Sequence, residues 1–320
     1  MEGNIGLEFY LAPLEGVTGF VYRNVYERLF GGIDTYVTPF ITPNQKKVLR
    51  TRERKDIAPE NNMGMHTIPQ LLLNDVDKFF EITEYLMNFG YTEFNINLGC
   101  PMSTVVTKKK GSGFLDDTYK LEKFFDGVYN GIAERNMNIQ ISVKTRVGIR
   151  DYDEWEDILR VYNQFPLQEV IIHPRLQKDF YNGTPNKESF LYAMEYSKNP
   201  VCYNGDIYTK EDYTNLTEMF PTLEKVMIGR GIIANPGLVS EINNEKKTTK
   251  EEIIKYHDAL YEGYMEDLDC FKDTLFKFKE LWTYLITNEV FEDCQREKAL
   301  KAIRKAKSEV EYKNALRYLW

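Results

Sequence analysis

The feature that most constrains this chain is the alternation of short apolar segments with helical segments through its first 244 residues. Parallel strands need crossover connections, and a helix after each strand supplies them. Eight such units predict an α/β fold, a closed (β/α)8 TIM barrel, which usually takes about 250 residues. The predicted strands are residues 7–12, 34–40, 63–73, 92–98, 139–145, 169–173, 200–204 and 225–229.

The end of the chain has a different pattern. Residues 249–320 show apolar positions at helical spacing, contain no proline, and have Gly263 as their single glycine. This pattern is typical of a small helical bundle. A polar segment at 243–247 is predicted to be the linker. We therefore predict a barrel domain over 1–244 and a C-terminal all-helical domain over 245–320.

Three of the barrel helices are predicted from the sequence, two of them with a capping residue. The first helix is predicted over 18–30, with Thr18 as its N-cap and a glycine pair after its end. A second begins after Asn74, a plausible N-cap residue, and a third covers 116–133.

Composition restricts the setting of the protein. The sequence has no apolar run long enough to cross a bilayer and no charged start followed by an apolar segment, so we expect neither a membrane anchor nor a signal peptide, and a cytoplasmic location. It has three histidines and no C-x-x-C pair, which predicts no metal site and no disulfide framework. We therefore expect thiols at the four cysteines, Cys100, Cys202, Cys270 and Cys294.

Positive charge is concentrated in patches, although the net charge is −8. Residues 43–55 hold six basic side chains against one acid, and residues 295–320 hold eight against three. Residues 249–294, in contrast, hold five lysines against twelve acids. An acidic protein with separate basic patches can hold a polyanion in one place.

A basic stripe is predicted in the C-terminal segment. Lys298, Lys301 and Lys305 recur at helical spacing, whereas three apolar residues are predicted on another side. The stripe fits either a docked helix that offers its outer face to RNA or a solvated face. The apolar residues are Leu300, Ile303 and Val310.

Cys100 lies between a glycine and a proline at the end of a predicted strand. These neighbours break the strand and leave the thiol in a loop, where chemistry is usually done. The alternative is a small buried hydrophobe, because free cysteine is often buried. The basic, glycine-rich sequence that follows favours the first interpretation. It consists of Lys108, Lys109, Lys110, Gly111, Ser112 and Gly113.

Polar residues and glycines recur where the predicted strands end. In TIM barrels the active site lies at the carboxyl ends of the strands, so these residues are functional candidates. Strands seven and eight end in Asn-Gly-Asp and Gly-Arg-Gly, which predict a phosphate site, although each alone reads as an ordinary turn. The candidates are Pro13, Leu14, Glu15, Gln70, Asn97, Cys100, Lys144, His173, Arg175, Asn204, Gly205, Asp206, Gly229 and Arg230.

Lys144 lies at the end of the fifth predicted strand, directly after Ile141, Ser142 and Val143. One interpretation is a solvated lysine at a strand end. The other is a cation beside an electron-rich cofactor ring, where it stabilises negative charge on the reduced cofactor.

Taken together, these motifs resemble the tRNA-dihydrouridine synthases, FMN-dependent enzymes with a TIM barrel and a C-terminal helical domain. The resemblance runs in order over about 220 residues, and the N-x-G-C-P motif with its downstream K-K-x-G-x-G is its most specific part. The motifs are APLEGVT from residue 12, NLGCP from 97, VKTR from 143, HPR from 173, YNGD from 203 and MIGRG from 227.

The resemblance implies a role for each candidate residue. Cys100 is the proton donor, and Asn97 helps to hold the target uracil. The remaining substrate contacts are expected at Arg175, Lys108, Lys109 and Lys110. FMN contacts are implied at Pro13, Leu14, Glu15 and Gln70, with Lys144 and His173 near the isoalloxazine, Asn204, Gly205 and Asp206 near the ribityl phosphate, and Gly229 and Arg230 on the phosphate itself.

The chemistry of uracil reduction is consistent with these roles. Saturating the 5,6 double bond requires a hydride at C6, which reduced FMN can deliver, and a proton at C5, which needs a general acid. An ordinary thiol, with a pKa of about 8.5, is mostly protonated at neutral pH and can serve. NADPH is the reductant that the resemblance implies, tRNA is the expected partner, and a monomer is the expected state.

Two departures from the family pattern leave the choice of substrate open. Asn95 stands where the family usually has aspartate, and Leu176 follows Arg175 where the family favours threonine. Two other functions also remain open. One is an FMN barrel dehydrogenase acting on a small pyrimidine-type substrate, and the other is an RNA-binding protein that has kept the barrel without its chemistry.

Overall fold

The computed structural model describes residues 7–43 and 48–320. The basic segment predicted at 43–55 is therefore described only in part, because Lys46 and Lys47 lie outside these residues. None of the helices in the described ranges is long and apolar enough to cross a membrane.

One parallel sheet organises the barrel. Its strands follow the order β3-β2-β1-β9-β8-β7-β6-β5-β4. The bounds are β1 Glu8–Leu11, β2 Thr35–Val37, β3 Thr67–Ile68, β4 Gln70–Leu71, β5 Glu93–Leu98, β6 Gln140–Arg146, β7 Glu169–His173, β8 Val201–Asn204 and β9 Lys225–Ile228.

Pro69 explains why nine strands form an eight-stranded barrel. The two edges of the sheet, β3 and β4, are consecutive in sequence and separated by Pro69 alone. β3 pairs with β2 and β4 with β5, so the two halves of one interrupted strand join the edges of the sheet. Proline has no N–H to donate to a ladder, but its carbonyl accepts a bond from the N–H of Asn95 at 3.0 Å. The predicted α/β fold with a TIM barrel is confirmed.

Helices follow the strands as the βαβ pattern requires. Those of the barrel sequence are α1 Phe20–Leu29, α2 Thr51–Ile57, α3 Val76–Met87, α4 Ser103–Val106, α5 Thr118–Glu134, α6 Glu154–Tyr162, α7 Lys187–Tyr196, α8 Lys210–Met219, α9 Arg230–Ala234 and α10 Leu238–Ile242. The C-terminal segment forms α11 Lys250–Leu268, α12 Phe271–Leu285, α13 Asp293–Lys305 and α14 Glu309–Leu316. The predicted all-helical C-terminal region is confirmed.

The chain divides into two compact units. The first contains the described residues of 1–13 and 34–205 together with 220–227. The second contains 14–33, 206–219 and 228–320. The predicted division of the chain at residue 244 stays a prediction.

Within the first unit, the amino ends of the strands form a polar cluster of their own. Glu169, at the start of β7, is 2% exposed, and its Oε2 has no hydrogen-bond partner among the described residues. Burial raises the pKa of this carboxyl to about 7, against a smaller opposing effect of Lys225. His66 Nε2 lies 2.9 Å from Glu93 Oε1, and this hydrogen bond raises the pKa of the histidine.

In the second unit, α1 packs closely on α11. Gly263 allows the approach, because a Cβ at this position would lie 2.8 Å from Cγ1 of Val21. Tyr22 and Tyr256 meet edge to face across the same contact, with ring centroids 6.1 Å apart. Each deeply buried aromatic contributes a large apolar area to such a core.

Buried hydrogen bonds also join the C-terminal helices. The Trp282 Nε1–H donates to the Tyr312 hydroxyl at 2.9 Å, and His257 Nε2 lies 2.8 Å from the same oxygen. The Asp258 carboxylate can only accept, so the Nδ1–H of His257 donates to it at 2.8 Å, and Nε2 of the neutral ring then accepts from the Tyr312 hydroxyl. Burial lowers the pKa of His257, which agrees with a neutral ring.

Two local predictions were wrong. Thr18 does not cap α1, whose N-cap is Gly19; its hydroxyl accepts from the N–H of Leu14 instead. Asp75, not Asn74, caps α3. Asn74 donates to two carbonyls of the Cys100 loop, at Lys108 and Lys109. In both cases the side chain hydrogen-bonds to a backbone group outside the helix that it was predicted to cap.

The basic stripe of the C-terminal segment is only partly as predicted. Lys298, Lys301 and Lys305 are exposed on α13, while Ile303 is buried on the same helix. Val310 was expected on the apolar side, but it is exposed, because α13 ends at Lys305 and Val310 belongs to α14.

Candidate active site

A chain of hydrogen-bonded side chains connects three neighbouring strands at the carboxyl end of the barrel. Asn97 donates to Gln70, Gln70 donates to Asn95, and Asn95 donates to Ser142, each at 2.8 Å. All four side chains are buried. The period of two along a strand places Asn95 and Asn97 on the same face of β5, which makes the chain possible.

The orientation of this amide chain is fixed at the Asn97 end. Its Oδ1 accepts from the backbone N–H of Gly99 at 3.1 Å and of Cys100 at 2.9 Å. A backbone N–H can only donate, so the oxygen of Asn97 must face the loop and its NH2 must face Gln70. The same reasoning then fixes the amides of Gln70 and Asn95. Because the chain is buried and each amide is bonded to the next, it gives the backbone of Cys100 a rigid support.

The backbone of Cys100 is held on its other side by Ser112. The carbonyl of Cys100 accepts from the N–H of Ser112 at 3.1 Å and from its hydroxyl at 2.9 Å. The main chain of Cys100 is thus fixed at both its N–H and its C=O. The thiol itself is partly exposed.

Gly111 permits this arrangement. Its φ is +55°, and a Cβ at this position would lie 2.8 Å from the carbonyl oxygen of Cys100. Only glycine adopts such a backbone at little cost and also allows so close an approach. This is the physical reason for a glycine directly after the three lysines.

The three lysines of this loop differ from one another. Lys109 makes an ion pair with Asp116 at 2.8 Å, and its own φ is +51°. Lys110 is partly buried, and burial, followed by repulsion from Lys108, lowers its pKa. Lys108 is exposed. The predicted basic loop therefore presents its charges in three different settings.

Lys144 stands beside the amide chain. In the β5–β6 pairing it is the direct partner of Asn97, on the face of β6 that also carries Ser142. Its ammonium group makes no hydrogen bond within the described residues. Burial, followed by repulsion from Arg146, lowers its pKa to about 8. This cation is only partly exposed, which differs from the solvated strand-end lysine considered above.

His173 and Arg175 form one unit after β7. The Nη1 atom of Arg175 lies 3.0 Å from Nε2 of His173. The same guanidinium donates to the carbonyls of Asn182 and Gly183. A guanidinium has no acceptor, so the imidazole Nε2 must accept and the ring proton lies on Nδ1. Arg175 was predicted to contact the substrate; here its side chain is 1% exposed and braces the loop.

Arg146 is a second buried brace, and its role was missed from the sequence. Its Nε donates to the carbonyl of Gly99 at 3.0 Å, and its two terminal nitrogens donate to the carbonyls of Leu176 and Phe180. This one side chain ties the Cys100 loop to the loop after β7. Leu176 is itself buried, so its side chain faces the interior.

The end of β8 also belongs to the first unit. Asn204 is buried, and its Nδ2 donates to the carbonyl of Met227 at 2.7 Å. Gly205 follows, and a Cβ there would lie 3.0 Å from Cγ of Pro185. Pro13, after β1, is partly exposed.

In the second unit, Leu14 and Glu15 begin a tight turn. The N–H groups of Val17 and Thr18 both donate to the carbonyl of Leu14 at 3.0 Å. Lys277 of α12 donates to the carbonyl of Gly16 at 2.7 Å. Glu15 is exposed. The turn is therefore braced by a C-terminal helix.

The second unit also contains Asp206, Gly229 and Arg230. Arg230 Nη2 donates to Asp206 Oδ1 at 2.6 Å, and its guanidinium lies over the ring of Tyr208. Gly231 makes this turn possible, since a Cβ there would overlap the carbonyl oxygen of Ile207 at 1.9 Å. Gly229 precedes α9 directly.

The comparisons with known proteins agree with this architecture. A tRNA-dihydrouridine(16) synthase of Pseudomonas syringae pv. tomato is 27% identical over 254 residues, covering 78% of each chain. A probable tRNA-dihydrouridine synthase of Rickettsia bellii is 27% identical over 284 residues, covering 85% of this chain and 83% of its own. Among solved structures, morphinone reductase has the same fold, with a TM-score of 0.50, 11% identity and coverage of 76% of this chain and 87% of its own. The sequence profile of the dihydrouridine synthases (Dus) matches residues 10–317, so the chain belongs to the dihydrouridine synthase family.

Proposed function

We propose that this protein is a flavin-dependent tRNA-dihydrouridine synthase, which reduces the C5–C6 double bond of a uridine in tRNA. The family membership and the similarity to tRNA-dihydrouridine synthases support this proposal. We further propose FMN as the cofactor, NADPH as the reductant, and action as a monomer in the cytoplasm.

The observation that carries the proposal is the support beneath Cys100. Both backbone groups of this residue are held, by Asn97 on one side and by Ser112 on the other. Lys144 pairs with Asn97 on the neighbouring strand. A cysteine whose main chain is held, near a strand that carries a partly buried cation, suits proton transfer to a substrate near an anionic cofactor.

The residues at the strand ends fit a flavin mononucleotide. Lys144 is a cation without a hydrogen bond among the described residues, and it can stabilise negative charge on the ring system. His173, with its Nε2 accepting from Arg175, keeps a defined ring orientation. Gln70 is proposed on the ring as well. The other proposed cofactor contacts are Pro13, Leu14, Glu15, Asn204, Gly205, Asp206, Gly229 and Arg230.

When bound and reduced, FMN supplies a hydride to C6 of the uracil. The protein supplies the rest. The Cys100 thiol gives its proton to C5, and the thiolate then recovers a proton from solvent, so that charge and atoms balance. The second amide hydrogen of Asn97 makes no hydrogen bond within the described residues, and we propose that it donates to a uracil carbonyl.

The tRNA must present its uridine out of the stack, because a base inside a folded RNA cannot reach a barrel mouth. Basic side chains then hold the phosphates and set the position of the RNA. We propose this role for the exposed lysines of α13 and for Lys108, Lys109 and Lys110. Arg175 contributes by bracing the loop after β7.

The direct test is to purify the protein, identify any released flavin, and supply NADPH and tRNA that lacks dihydrouridine. We expect a yellow protein that contains FMN and forms dihydrouridine at defined positions. Free uridine is the matched control, because a small-molecule dehydrogenase would reduce it equally well. A colourless protein that cannot take up FMN would contradict the proposal.

The role of α13 has its own test. Replacing Lys298, Lys301 and Lys305 together by glutamine should weaken tRNA binding and flatten its salt dependence, because each phosphate contact releases counterions. Flavin content should stay normal. Replacing three ion-paired lysines elsewhere, Lys78, Lys120 and Lys123, changes the net charge equally and is the control. Equal affinities of the two triple variants would show that α13 offers only a solvated face.

A further inference from the structure

The turn that follows β1 is held by three side chains of the second unit. Three successive carbonyls of this turn, those of Gly16, Val17 and Thr18, each accept a hydrogen bond from a side chain. The donors are Lys277 of α12 at 2.7 Å, Tyr264 of α11 at 3.2 Å and Arg23 of α1 at 2.9 Å. A surface turn can leave its carbonyls to water, so three donors in a row are more than backbone satisfaction requires.

Gly16 lets α12 approach the turn closely. Its φ is +84°, and a Cβ at this position would lie 3.1 Å from Oε2 of Glu280. Lys277 and Glu280 are three residues apart on α12, so they face the same side of the helix. The ammonium group of Lys277 lies 5.9 Å from the ring centroid of Tyr264. The two C-terminal helices therefore meet the turn with neighbouring donors.

These donors determine the direction of the Leu14 backbone. In a trans peptide the C=O and the following N–H point in opposite directions. Because the carbonyls of Gly16 and Val17 point to the helices, the N–H groups of Val17 and Thr18 point back into the turn, where both donate to the carbonyl of Leu14 at 3.0 Å. The N–H of Leu14 donates to Oγ1 of Thr18 at 2.8 Å. Both backbone groups of Leu14 are thus fixed.

Attaching the turn to the helices would not by itself require these bonds. Val17 and Thr18 are already buried, and apolar contact is enough to keep a segment in place. A hydrogen bond, in contrast, depends on the angles at donor and acceptor, so it also fixes the direction of a peptide group. The residues whose direction is fixed here reach the surface, since Leu14 is partly exposed and Glu15 is exposed. This combination indicates a turn that is shaped to meet a ligand.

We propose that Lys277 and Tyr264 are positioning residues of the flavin site, which act through Leu14 and Glu15. This inference rests on the proposed function, in which those two residues contact FMN. A turn that is already ordered binds its ligand more tightly, because no ordering cost is left for the binding step. The C-terminal helices thus help to retain the cofactor, a role separate from any contact with RNA.

The test measures the Kd of FMN for the flavin-free protein, from the change in flavin fluorescence on binding. Lys277→Met removes a charged donor and should weaken FMN binding about 10-fold, whereas Lys277→Arg keeps a donor and should stay within about threefold of the parent. Lys279→Met is the matched control. Lys279 lies on the same helix, is likewise partly exposed, and donates to the carbonyl of Ala306 at 2.7 Å. It should leave the Kd unchanged.

Tyr264→Phe removes only the hydroxyl group and should weaken FMN binding about 3- to 10-fold. Tyr129→Phe is its control, because the Tyr129 hydroxyl donates to the carbonyl of Pro166 at 3.1 Å in the first unit. Combining Lys277→Met with Tyr264→Phe should cost less than the product of the two losses, since both donors hold the same turn.

Urea unfolding of the flavin-free proteins separates positioning from general stability. Lys277→Met and Lys279→Met should lower the free energy of unfolding by similar amounts, while only the first weakens FMN binding and changes the visible circular dichroism of the bound flavin. Equal FMN affinities of these two variants, with parental affinity in Tyr264→Phe, would overturn the positioning role. The parent protein would then still bind FMN and form dihydrouridine, whereas a parent protein without FMN affinity would contradict the proposed function itself.

Discussion

The two ends of the barrel both contain buried polar groups, but they satisfy them differently. At the carboxyl end, the amides of Gln70, Asn95 and Asn97 form one chain in which every link has a partner. At the amino end, Glu169 leaves one carboxyl oxygen without a partner among the described residues. Both ends shift a pKa strongly, to about 8 at Lys144 and to about 7 at Glu169.

The comparison teaches that a perturbed pKa does not by itself mark an active site. Both shifts have burial as their main cause. What separates the ends is the position on the barrel and the presence of a reactive group held in place, and only the carboxyl end has both. Four changes would break or sharpen this contrast.

The largest effect is expected from Cys100→Ala. NADPH should still bleach the flavin at nearly the normal rate, because the thiol takes no part in that step. Reoxidation by tRNA should slow about 10²- to 10⁴-fold, the usual loss for a positioned general acid. Stopped-flow absorbance measures both steps. Serine keeps the size but is a far weaker acid, so it should restore little.

Cys294→Ala, at an exposed position, is the matched control and should leave both steps unchanged. If Cys100→Ala reduced tRNA as fast as the parent protein, the proton would have to come from another group.

At the amino end, Glu169→Gln should change stability and leave the chemistry alone. The carboxyl keeps its proton to about pH 7 when folded but releases it near pH 4.5 when unfolded. Between these values the unfolded chain binds fewer protons, so this group lowers the free energy of unfolding as pH rises, by on the order of 3 kcal/mol in total. Glutamine cannot titrate and should remove that slope.

Urea unfolding of the parent and the Glu169→Gln variant from pH 4.5 to 8 measures the difference. It should grow with pH in favour of the variant and level off above pH 7. A constant difference would mean that Glu169 is ionised in the folded protein throughout.

Lys144→Met should act with the opposite sign. In the cofactor-free protein the folded lysine loses its proton near pH 8, while the unfolded one keeps it to about 10.5. The stability due to this group therefore rises between those values and is lost as pH falls through 8. Methionine should remove this rise, an effect smaller than that at Glu169 because Lys144 is partly exposed. Lys198→Met, on the surface, should not alter the pH profile.

The smallest effect is expected from Asn95→Asp, which restores the residue usual in the family. Gln70 can still donate to one carboxylate oxygen, and the Ser142 hydroxyl can turn to donate to the other, so stability should change by about 1 kcal/mol or less. The added charge should raise the pKa of Lys144. The pH profile described for that lysine should therefore move upward. A loss of about 3 kcal/mol would show that the carboxylate is left unsatisfied.

The sequence predicted the barrel because each of its strands ends in a local signal. Apolar runs that stop at glycine or polar residues identify strand ends such as those at Cys100 and Lys144 without any knowledge of the rest of the fold. The interruption at Pro69 was not predicted, since a single proline in a run of apolar residues does not show that both halves remain in the sheet.

The amide chain could not be predicted, because it depends on the register between β4, β5 and β6. The same holds for Arg146, whose acceptors lie up to 47 residues away in the chain. Arg175 has its acceptors within eight residues, but in a loop whose path the sequence does not show. From the sequence, a charged residue at a strand end suggests a contact with substrate. The folded protein shows that these two side chains instead donate hydrogen bonds to loop carbonyls. Asn74 was misread for the same reason, as its acceptors are more than 30 residues distant.

The amide chain beneath Cys100 has a consequence for the path of protons. Carboxylates, imidazoles and waters can pass a proton along a row, but a carboxamide neither gains nor loses one near neutral pH. The row of Asn97, Gln70 and Asn95 therefore fixes the orientation of its side chains but cannot conduct a proton. In the proposed mechanism, Cys100 would therefore recover its proton from the mouth of the barrel, and the amide chain would separate it from Glu169 at the opposite end.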